Sequence, residues 1–548
     1  SFYLIFSPSG QKEAVKEAEG TAKEDLPLAK YPETVTVHLG GKMNPNAKIP
    51  KGMSFEDNSY TRLLKENLNI QVVYDWTAST SDYDEKMSLC IGSNTIPEIM
   101  NVNATQYRAL LKYDMIQPLD KYFDDYASDA LKSYVKSGGE ELQKCITNED
   151  GELMAIPAPN LTAGGVNEMW IRQDWLDALG LDVPRTWDEL AEVAKAFVTR
   201  DPDGNGENDT IGILGPGNSD HMNAVGGNQF GLDPLFSCFQ SYPQYWLKSE
   251  DGSVEYGSIQ PETKTALENI SKLYADGVID PETLVRSDSK EPLLAGKVGI
   301  FFGPWWCAYT FADTTLSGSA DWRAYFTPLS EDGKYYTHMA EPTTQYVVAS
   351  KDCKNPEAAF KIINYLVANE QKWVEEGVTS TEMGTGDFYP LYNTYDNADE
   401  IETSYEALTK YLAGDISMDD VDFSTHKLLK NDMEAVTKLK KKPYDDFSLK
   451  YWNLDSDLAK TNLPRLIAIM VGDAPLVNEE YVPVYNAYNG QTETMEAKWA
   501  NLKKMEEETF AKIIMGKADI SEFDTFVKNW KNQGGDQILK EINDELSK

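Results

Sequence analysis

The chain has 548 residues, of which 41% are hydrophobic and 26% are charged, as in ordinary globular proteins. At about 100–200 residues per domain, this length predicts two to four domains. Acidic residues number 89 and basic residues 51, so the formal net charge is −38. Such a surface repels nucleic acid, and we expect no nucleic-acid partner.

Neither a membrane span nor a disulfide framework is predicted. The longest apolar stretch, 298–309, is too short to cross a bilayer. The five cysteines lie 46 to 93 residues apart and form no CxxC unit. They leave the compartment open, since they fit a cytosolic protein and also an exported protein of a Gram-positive-like bacterium. Residues 1–31 are expected to form a disordered N-terminal tether, because 11–30 are polar and rich in Glu and Lys.

Strands and helices alternate in the first part of the chain. Strands are predicted at 34–38, 70–74 and 97–100, and helices at 59–66, 83–91 and 107–113. This alternation is typical of a mainly parallel sheet covered by helices on both faces. Ligands of such sheets lie beyond the carboxyl ends of the strands, which makes Asn103 a candidate ligand residue.

The same alternation restarts with a strand at 168–172. Thr186 and Glu189 have the spacing of a capping box and predict the start of a helix. Further strands are predicted at 298–302 and 346–349, followed by a helix at 358–367. The remaining third is predicted to be mostly helical, with helices at 495–514 and 523–530.

A calcium loop is predicted at 201–210, where oxygen-bearing residues occupy loop positions 1, 3, 5 and 9 and a backbone carbonyl falls at position 7. Gly206 at position 6 permits the sharp turn of an EF-hand loop, in which a hard cation is surrounded by six to eight oxygens. Position 12 is Gly212 instead of Glu, so the last carboxylate must come from elsewhere or be replaced by water. An ion-free turn is the alternative. The candidate ligands of a structural Ca²⁺ are Asp201, Asp203, Asn205, Glu207 and Asp209.

Aromatic residues make up 11% of the chain. Trp and Tyr offer flat apolar faces with a polar edge, which suit the C–H faces of sugar rings, although any single aromatic can instead belong to the core. Gly303 and Pro304 end a predicted strand and place Trp305 and Trp306 on a loop. Trp170 belongs to another aromatic cluster and is a further candidate.

Sequence motifs of common enzymes are missing. The chain has no P-loop and no HExxH, GxSxG or GxGxxG motif. With 89 acidic residues, no catalytic carboxylate pair can be singled out. We therefore expect a protein that is not an enzyme.

Several segments, in order, resemble a known family. Residues 296–306, which contain Gly-Pro-Trp, resemble a segment of maltose-binding protein and its relatives, as do 151–157, 170–190 and 346–360. The chain is thereby identified as an extracellular solute-binding protein of an ABC importer, in the long form of Gram-positive lipoproteins. It is also similar to alginate-oligosaccharide-binding proteins, which carry a calcium loop at this place. In those relatives an acidic side chain at loop position ten helps to hold the ion, whereas this chain has Thr210.

The resemblance implies a two-lobed α/β fold of the periplasmic-binding-protein type. Each lobe is expected to be a mainly parallel sheet flanked by helices, with a helical C-terminal part. The first lobe is expected at 32–160 plus about 338–400. The second, with the calcium loop, is expected at 161–337 plus about 401–548.

The implied function is capture of an oligosaccharide in a cleft between the lobes and its delivery to the membrane subunits of an ABC importer. Trp305 matches the indole that stacks on a sugar in this family, and Trp306, Arg172 and Trp170 are candidates by neighbourhood. We expect a monomer at the cell surface, held by a lipid anchor that is not in this sequence. A neutral or weakly charged sugar is favoured by the acidic surface. The alternatives are a peptide or another non-sugar solute bound by the same fold, and a carbohydrate-active enzyme.

Overall fold

A computed structural model of the chain describes residues 14–218, 228–318, 320–376 and 384–547. The Cα positions fall into two compact units, each built from two segments of the chain. Unit 1 comprises Ser1–Pro159 and Pro342–Asn397. Unit 2 comprises Asn160–Glu341 and Ala398–Lys548.

Unit 1 contains five strands and the first set of helices among its described residues. The strands are β1 (Val35–Met43), β2 (Ile70–Ser79), β3 (Ile99–Val102), β4 (Ile156–Pro159) and, in the returning segment, the strand Thr343–Ala349, which is β12 in chain order. The α-helices are Ser59–Leu68, Tyr83–Ser93, Ala104–Lys112, Asp120–Tyr126, Asp129–Ser137, Gly139–Ile146, Glu357–Glu375 and Thr385–Phe388. Lys23–Leu28 is a 3-10 helix.

Unit 2 contains the remaining strands and the C-terminal helices. The strands are β5 (Glu168–Arg172), β6 (Ile211–Leu214), β7 (Trp246–Lys248), β8 (Val254–Tyr256), β9 (Val298–Gly303), β10 (Trp322–Tyr325), β11 (Tyr336–His338) and β13 (Val482–Val484). The α-helices are Gln173–Leu179, Trp187–Thr199, Asp233–Ser237, Pro261–Ala275, Lys290–Leu294, Ala308–Gly318, Glu400–Ala413, Leu429–Leu439, Asp457–Ile467, Ala474–Asn478, Glu493–Ile514, Glu522–Trp530 and Asp536–Leu546. Short 3-10 helices are Thr162–Gly165, Gly257–Ile259, Trp305–Cys307, Met418–Asp420 and Leu449–Tyr451, and π-helical turns are Ala468–Gly472 and Lys531–Gly535.

Unit 1 contains a two-stranded sheet, β1-β2, and a three-stranded sheet, β3-β12-β4, and β1 buries alternate residues, as its sequence pattern predicts. β1 pairs with β2 in parallel, and β12 lies between β3 and β4 in antiparallel pairing. The register of β1 and β2 shifts between Leu39 and Gly40. A Cβ atom at Gly40 would lie 2.4 Å from the Trp76 ring, so the close approach of the two strands requires glycine there.

The central sheet of unit 2 has the strand order β10-β5-β9-β6. All residues of β5 and β9 are buried, as expected for strands covered on both faces. The predicted helix after Thr186 is present as Trp187–Thr199. Its capping box forms with Glu189, as predicted.

Strand directions are more mixed than the predicted mainly parallel sheets. β6 and β9 are parallel, but β5 pairs with β9 and β10 in antiparallel fashion. In unit 1 the returning strand β12 is antiparallel to both of its neighbours. These antiparallel pairs join strands that are more than 100 residues apart in the chain, which local strand–helix alternation does not reveal.

The N-terminal prediction needs correction for the described residues 14–31. The buried ammonium of Lys361 lies 2.9 Å from Glu17 Oε1 and donates hydrogen bonds to the carbonyls of Leu26 and Ala29. The hydroxyl of Tyr31 donates to Glu357 at 3.0 Å. These contacts fix the segment on unit 1, although its polar composition is typical of disorder. Residues 1–13 lie outside the described residues.

The C-terminal part is helical, as predicted. The long helix Glu493–Ile514 packs against Pro261–Ala275 of the same unit. The π-helical turn Lys531–Gly535 contains a break, because Gly534 has φ of 131°. Within the described ranges, no helix is both long and apolar enough to cross a membrane.

Candidate functional site

A cavity of about 420 Å³ lies in unit 1, at the ends of β1, β2 and β3. β1 and β2 are parallel, so their carboxyl ends meet at the edge where ligands of such sheets bind. The cavity is lined by Gly40, Lys42, Asn44, Phe55, Tyr74, Thr80, Tyr83, Asn101, Gln345, Gly386, Asp387, Tyr389, Pro390, Leu391, Tyr392, Asn393 and Thr394. The cavity thus lies at the carboxyl ends of parallel strands, where ligands of such sheets bind.

Aromatic rings form one part of the lining. The ring centroids of Phe55 and Tyr74 lie 4.7 Å apart, and the ammonium of Lys42 lies 4.9 Å from the centroid of Tyr83. Burial raises the pKa of Tyr74 and of Tyr83, so both phenols are neutral at physiological pH. The lining therefore combines apolar ring faces with neutral hydroxyl groups.

Amide side chains form another part. The Nδ2 of Asn101 donates to Oδ1 of Asn393 at 3.1 Å, and the Tyr83 hydroxyl donates to the Asn101 carbonyl at 2.9 Å. Asn44 donates to Asp387 at 3.2 Å. These amides are already oriented and retain further donor and acceptor capacity.

The candidate Asn103 does not line this cavity. Its side chain caps the helix Ala104–Lys112 in a capping box with Gln106. Asn101, two residues earlier, lines the cavity instead. The sequence signal for Asn101 was available, because it is the polar residue in an otherwise apolar strand, β3.

In unit 2, Trp305 directly follows β9 and begins the 3-10 helix Trp305–Cys307. It is 7% exposed, so it is more buried than a loop position predicts. Its indole Nε1 has no hydrogen-bond partner among the described residues. A Cβ atom at Gly472 would lie 2.6 Å from the Trp305 carbonyl, so the π-helical turn Ala468–Gly472 packs directly against this residue.

The two other tryptophan candidates differ in exposure. Trp306 is half-buried, whereas Trp170 is completely buried. The Nε1 of Trp170 donates to the carbonyl of Pro304 at 3.2 Å, and its ring packs edge-on against Phe311. The prediction of Trp170 as a ligand residue is corrected: it is a core residue whose polar atom is already satisfied.

Arg172 lies at the wrong end of its strand for a role beside Trp305. In the antiparallel register of β5 and β9, Glu168 is opposite Gly303, so Arg172 lies at the far end of β5 from the Gly303 edge. Its guanidinium is paired with Asp174 at 2.7 Å and stacks over Trp175. These contacts give Arg172 a structural role, and its role as a ligand residue stays a prediction.

Buried polar groups that sequence analysis missed accompany Trp305. Glu168, opposite Gly303, is fully buried, and neither carboxyl oxygen has a partner in the described part of the chain. Burial, followed by the charges of Asp473 and Glu479, raises the pKa of Glu168 well above its usual range. The charged residue within a buried apolar strand was the available sequence signal. Such groups can be satisfied by water or by ligand hydroxyls.

Loop 201–210, for which calcium binding is predicted, has much internal hydrogen bonding. The backbone N–H of Gly206 donates to Asp201 Oδ2 at 3.0 Å, and that of Glu207 donates to Asn205 Oδ1 at 2.8 Å. Asn205 Nδ2 donates to both oxygens of Asp209. Asp201 Oδ1 is buried without a partner among the described residues, which fits a cation ligand.

Two further features bear on a cation in this loop. The ammonium of Lys297 lies 3.2 Å from Asp203 Oδ2 and 2.7 Å from Asp209 Oδ2. A Cβ atom at Gly212 would lie 2.6 Å from the Val278 carbonyl, so this position cannot carry a side chain. Across the described ranges, no group of three or more His, Cys, Asp or Glu residues is arranged to hold a metal. The loop thus has oxygen donors, but Lys297 shares two of them.

Comparison with known proteins places these features in context. The model of the family described as "Bacterial extracellular solute-binding protein" matches residues 47–373. The chain belongs to this family. Membership confirms the resemblance found in the sequence, and because the family consists of solute-binding proteins it also confirms that the chain is not an enzyme.

Relatives of this solute-binding protein differ in how much they share with it. Fructooligosaccharide ABC transporter substrate-binding protein FusA of Streptococcus pneumoniae serotype 4 is 30% identical over 259 residues, 44% of this chain and 45% of that protein. The match thus spans less than half the length of FusA. Polygalacturonan/rhamnogalacturonan-binding protein YtcQ of Bacillus subtilis is 24% identical, over 91% of this chain and 92% of YtcQ. Lipoprotein LipO of Bacillus subtilis is 28% identical over 44% of this chain and 45% of LipO.

Solved structures share the fold. An "HMO binding ABC-transporter associated Solute Binding Protein" of Bifidobacterium longum infantis matches with a TM-score of 0.57 and 16% identity, covering 93% of this chain and 98% of that one. Alginate-binding protein AlgQ2, in a structure without calcium ion, matches with a TM-score of 0.50 and 17% identity, covering 96% of this chain and 100% of that one. These similarities confirm the predicted fold class.

Proposed function

We propose that this solute-binding protein captures an oligosaccharide and delivers it to the membrane subunits of an ABC importer. The observation that carries the proposal is the unit 1 cavity at the ends of β1–β3, which combines aromatic faces with oriented amides. Ring faces pack against the C–H faces of sugars, and amides pair with hydroxyl groups. Relatives named for fructooligosaccharide and polygalacturonan binding support a sugar ligand.

A neutral or weakly charged sugar fits the lining best. Its charged side chains are one cation, Lys42, and one acid, Asp387, and the latter already accepts from Asn44. A polyanionic sugar would need several cations to offset the chain's net charge of −38. We propose that Trp305 also contacts the ligand, with its indole N–H as a donor.

The extracellular setting follows from the family, and we propose in addition a monomer tethered to the membrane by a lipid anchor. A relative named as a lipoprotein supports the anchor. We also propose that loop 201–209 is a structural calcium site. The side chains of Asp201, Asp203, Asn205 and Asp209 and the carbonyl of Glu207 would hold the ion, which would cross-link the loop.

Isothermal titration calorimetry with a panel of neutral oligosaccharides, oligogalacturonides and peptides tests the function. We expect heat of binding with a neutral oligosaccharide. Asn101→Ala is expected to weaken that binding about tenfold, because it removes an oriented donor and acceptor from the cavity. The matched control is Asn67→Ala, which removes an exposed amide of unit 1 outside the cavity and should leave affinity unchanged. Heat with peptides alone would contradict the proposal.

A further inference from the structure

The ammonium of Lys297 contacts two of the carboxylates that are candidate calcium ligands in loop 201–209. It contacts carboxylate oxygens at loop positions 3 and 9, Asp203 and Asp209, at 3.2 and 2.7 Å. The Lys297 side chain is 32% exposed and that of Asp203 is 18% exposed. These ion pairs are therefore less screened by water than pairs on an open surface.

The backbone of Lys297 is fixed relative to the loop. Lys297 immediately precedes β9, and its carbonyl accepts from the backbone N–H of Ile211 at 2.8 Å. Ile211 begins β6 directly after the loop and pairs with Val298 in the parallel register. The sheet thus holds Lys297 beside the exit of the loop, so its position does not depend on a mobile segment.

The charges of the pair support each other. The ammonium of Lys297 and the carboxylates of Asp203 and Asp209 are oppositely charged groups in direct contact, so they attract each other. An ammonium group and a calcium ion are attracted to the same carboxylate oxygens. If both bound to these oxygens, the two cations would repel each other.

We propose that Lys297 is the resident cation of loop 201–209 and that calcium binds only by displacing its amino group. This inference does not depend on the identity of the sugar ligand. It has two consequences. The loop keeps its shape when calcium is scarce. Its apparent calcium affinity equals the intrinsic affinity multiplied by the fraction of time for which the Lys297 amino group is out of the loop.

The test compares Lys297→Met with Lys290→Met in the full chain. Lys290 is an exposed lysine of the same unit, so its replacement makes the same charge change outside the loop. Calcium affinity is measured by calorimetry, and melting temperature is measured in EDTA and in about 1 mM Ca²⁺, the range of extracellular calcium modules. Lys297→Met is expected to bind calcium about tenfold more tightly than the parent. This factor corresponds to a parent in which the Lys297 amino group is out of the loop about a tenth of the time.

The melting temperatures give an independent readout. Lys297→Met should melt below the parent in EDTA, because the loop carboxylates lose their counter-ion, and should regain stability in calcium. The parent and Lys290→Met should respond only weakly to either condition. Lys297→Gln serves as a second variant if Lys297→Met folds poorly, and adding Asp209→Asn should abolish the gain in affinity.

Two results would overturn the inference. One is a calcium affinity of Lys297→Met and Lys297→Gln no higher than that of the parent. The other is the absence of any calcium heat in all variants, which would also exclude the proposed calcium site. Neither result concerns the sugar, since glycan titration of the same variants reports separately on oligosaccharide binding.

Discussion

Replacing Trp305 by Phe is expected to weaken oligosaccharide binding about tenfold while leaving the melting temperature unchanged or slightly higher. The indole N–H of Trp305 is buried without a partner among the described residues, so removing it costs the folded protein no internal hydrogen bond. A ligand hydroxyl that accepts from this N–H would lose its donor. Trp305→Ala, which also removes the stacking face, is expected to weaken binding at least about 30-fold, as hot-spot residues do.

Trp170→Phe is the matched control for this experiment. Its indole N–H already donates to the Pro304 carbonyl, and its ring is completely buried. This replacement should lower stability by about 0.5–1.5 kcal/mol, because it removes one buried hydrogen bond while the Pro304 carbonyl still accepts from the Cys307 N–H, and should leave affinity unchanged. Calorimetry and thermal melting of both variants separate the two roles. Equal sugar affinity in Trp305→Phe, Trp305→Ala and the parent would show that Trp305 is only a core residue.

The sequence predicts the order of strands and helices and the sheet edge at which a ligand would bind, because these depend on local periodicity. It does not predict which residue at that edge faces the cavity. Asn103 and Asn101 are two residues apart, but the first caps a helix and the second lines the cavity. Helix capping by Asn103 follows from local hydrogen bonding, and the cavity position of Asn101 depends on partners nearly 300 residues away, such as Asn393.

Residues that are close in sequence can lie at opposite ends of a strand. The prediction of Trp170 and Arg172 rests on neighbourhood, yet each residue of a strand advances by about 3.3 Å, and antiparallel pairing of β5 with β9 carries Arg172 away from Trp305. The reverse holds for Lys297. It is distant in sequence from loop 201–209, and only the parallel pairing of β6 with β9 brings it to the loop. Strand register is the information that composition and motif spacing lack.

Glu402→Gln is expected to stabilise the protein at pH 8 by up to about 3 kcal/mol and to change little at pH 4.5. Burial, together with the charges of Asp399 and Glu406, raises the pKa of Glu402 to about 7, and its Oε2 has no partner in the described part of the chain. The folded state therefore binds this proton more tightly than the unfolded state. Between the ordinary glutamate pKa and about 7, the free energy of unfolding falls as pH rises, and glutamine removes that dependence.

The neighbouring Asp473 also influences the pH dependence of stability expected for Glu402→Gln. Asp473 is buried with both carboxyl oxygens lacking partners among the described residues, and burial followed by the Glu402 charge raises its pKa well above its usual range. Because the two acids repel when both are charged, a neutral amide at position 402 should also ease ionisation of Asp473. The control is Glu434→Gln, which removes an exposed charge from a helix of the same unit. Thermal melting is measured from pH 4.5 to 8. The melting temperature should depend less on pH for Glu402→Gln than for the control. Parallel profiles would mean that Glu402 ionises at its ordinary pKa, with water reaching the carboxyl group.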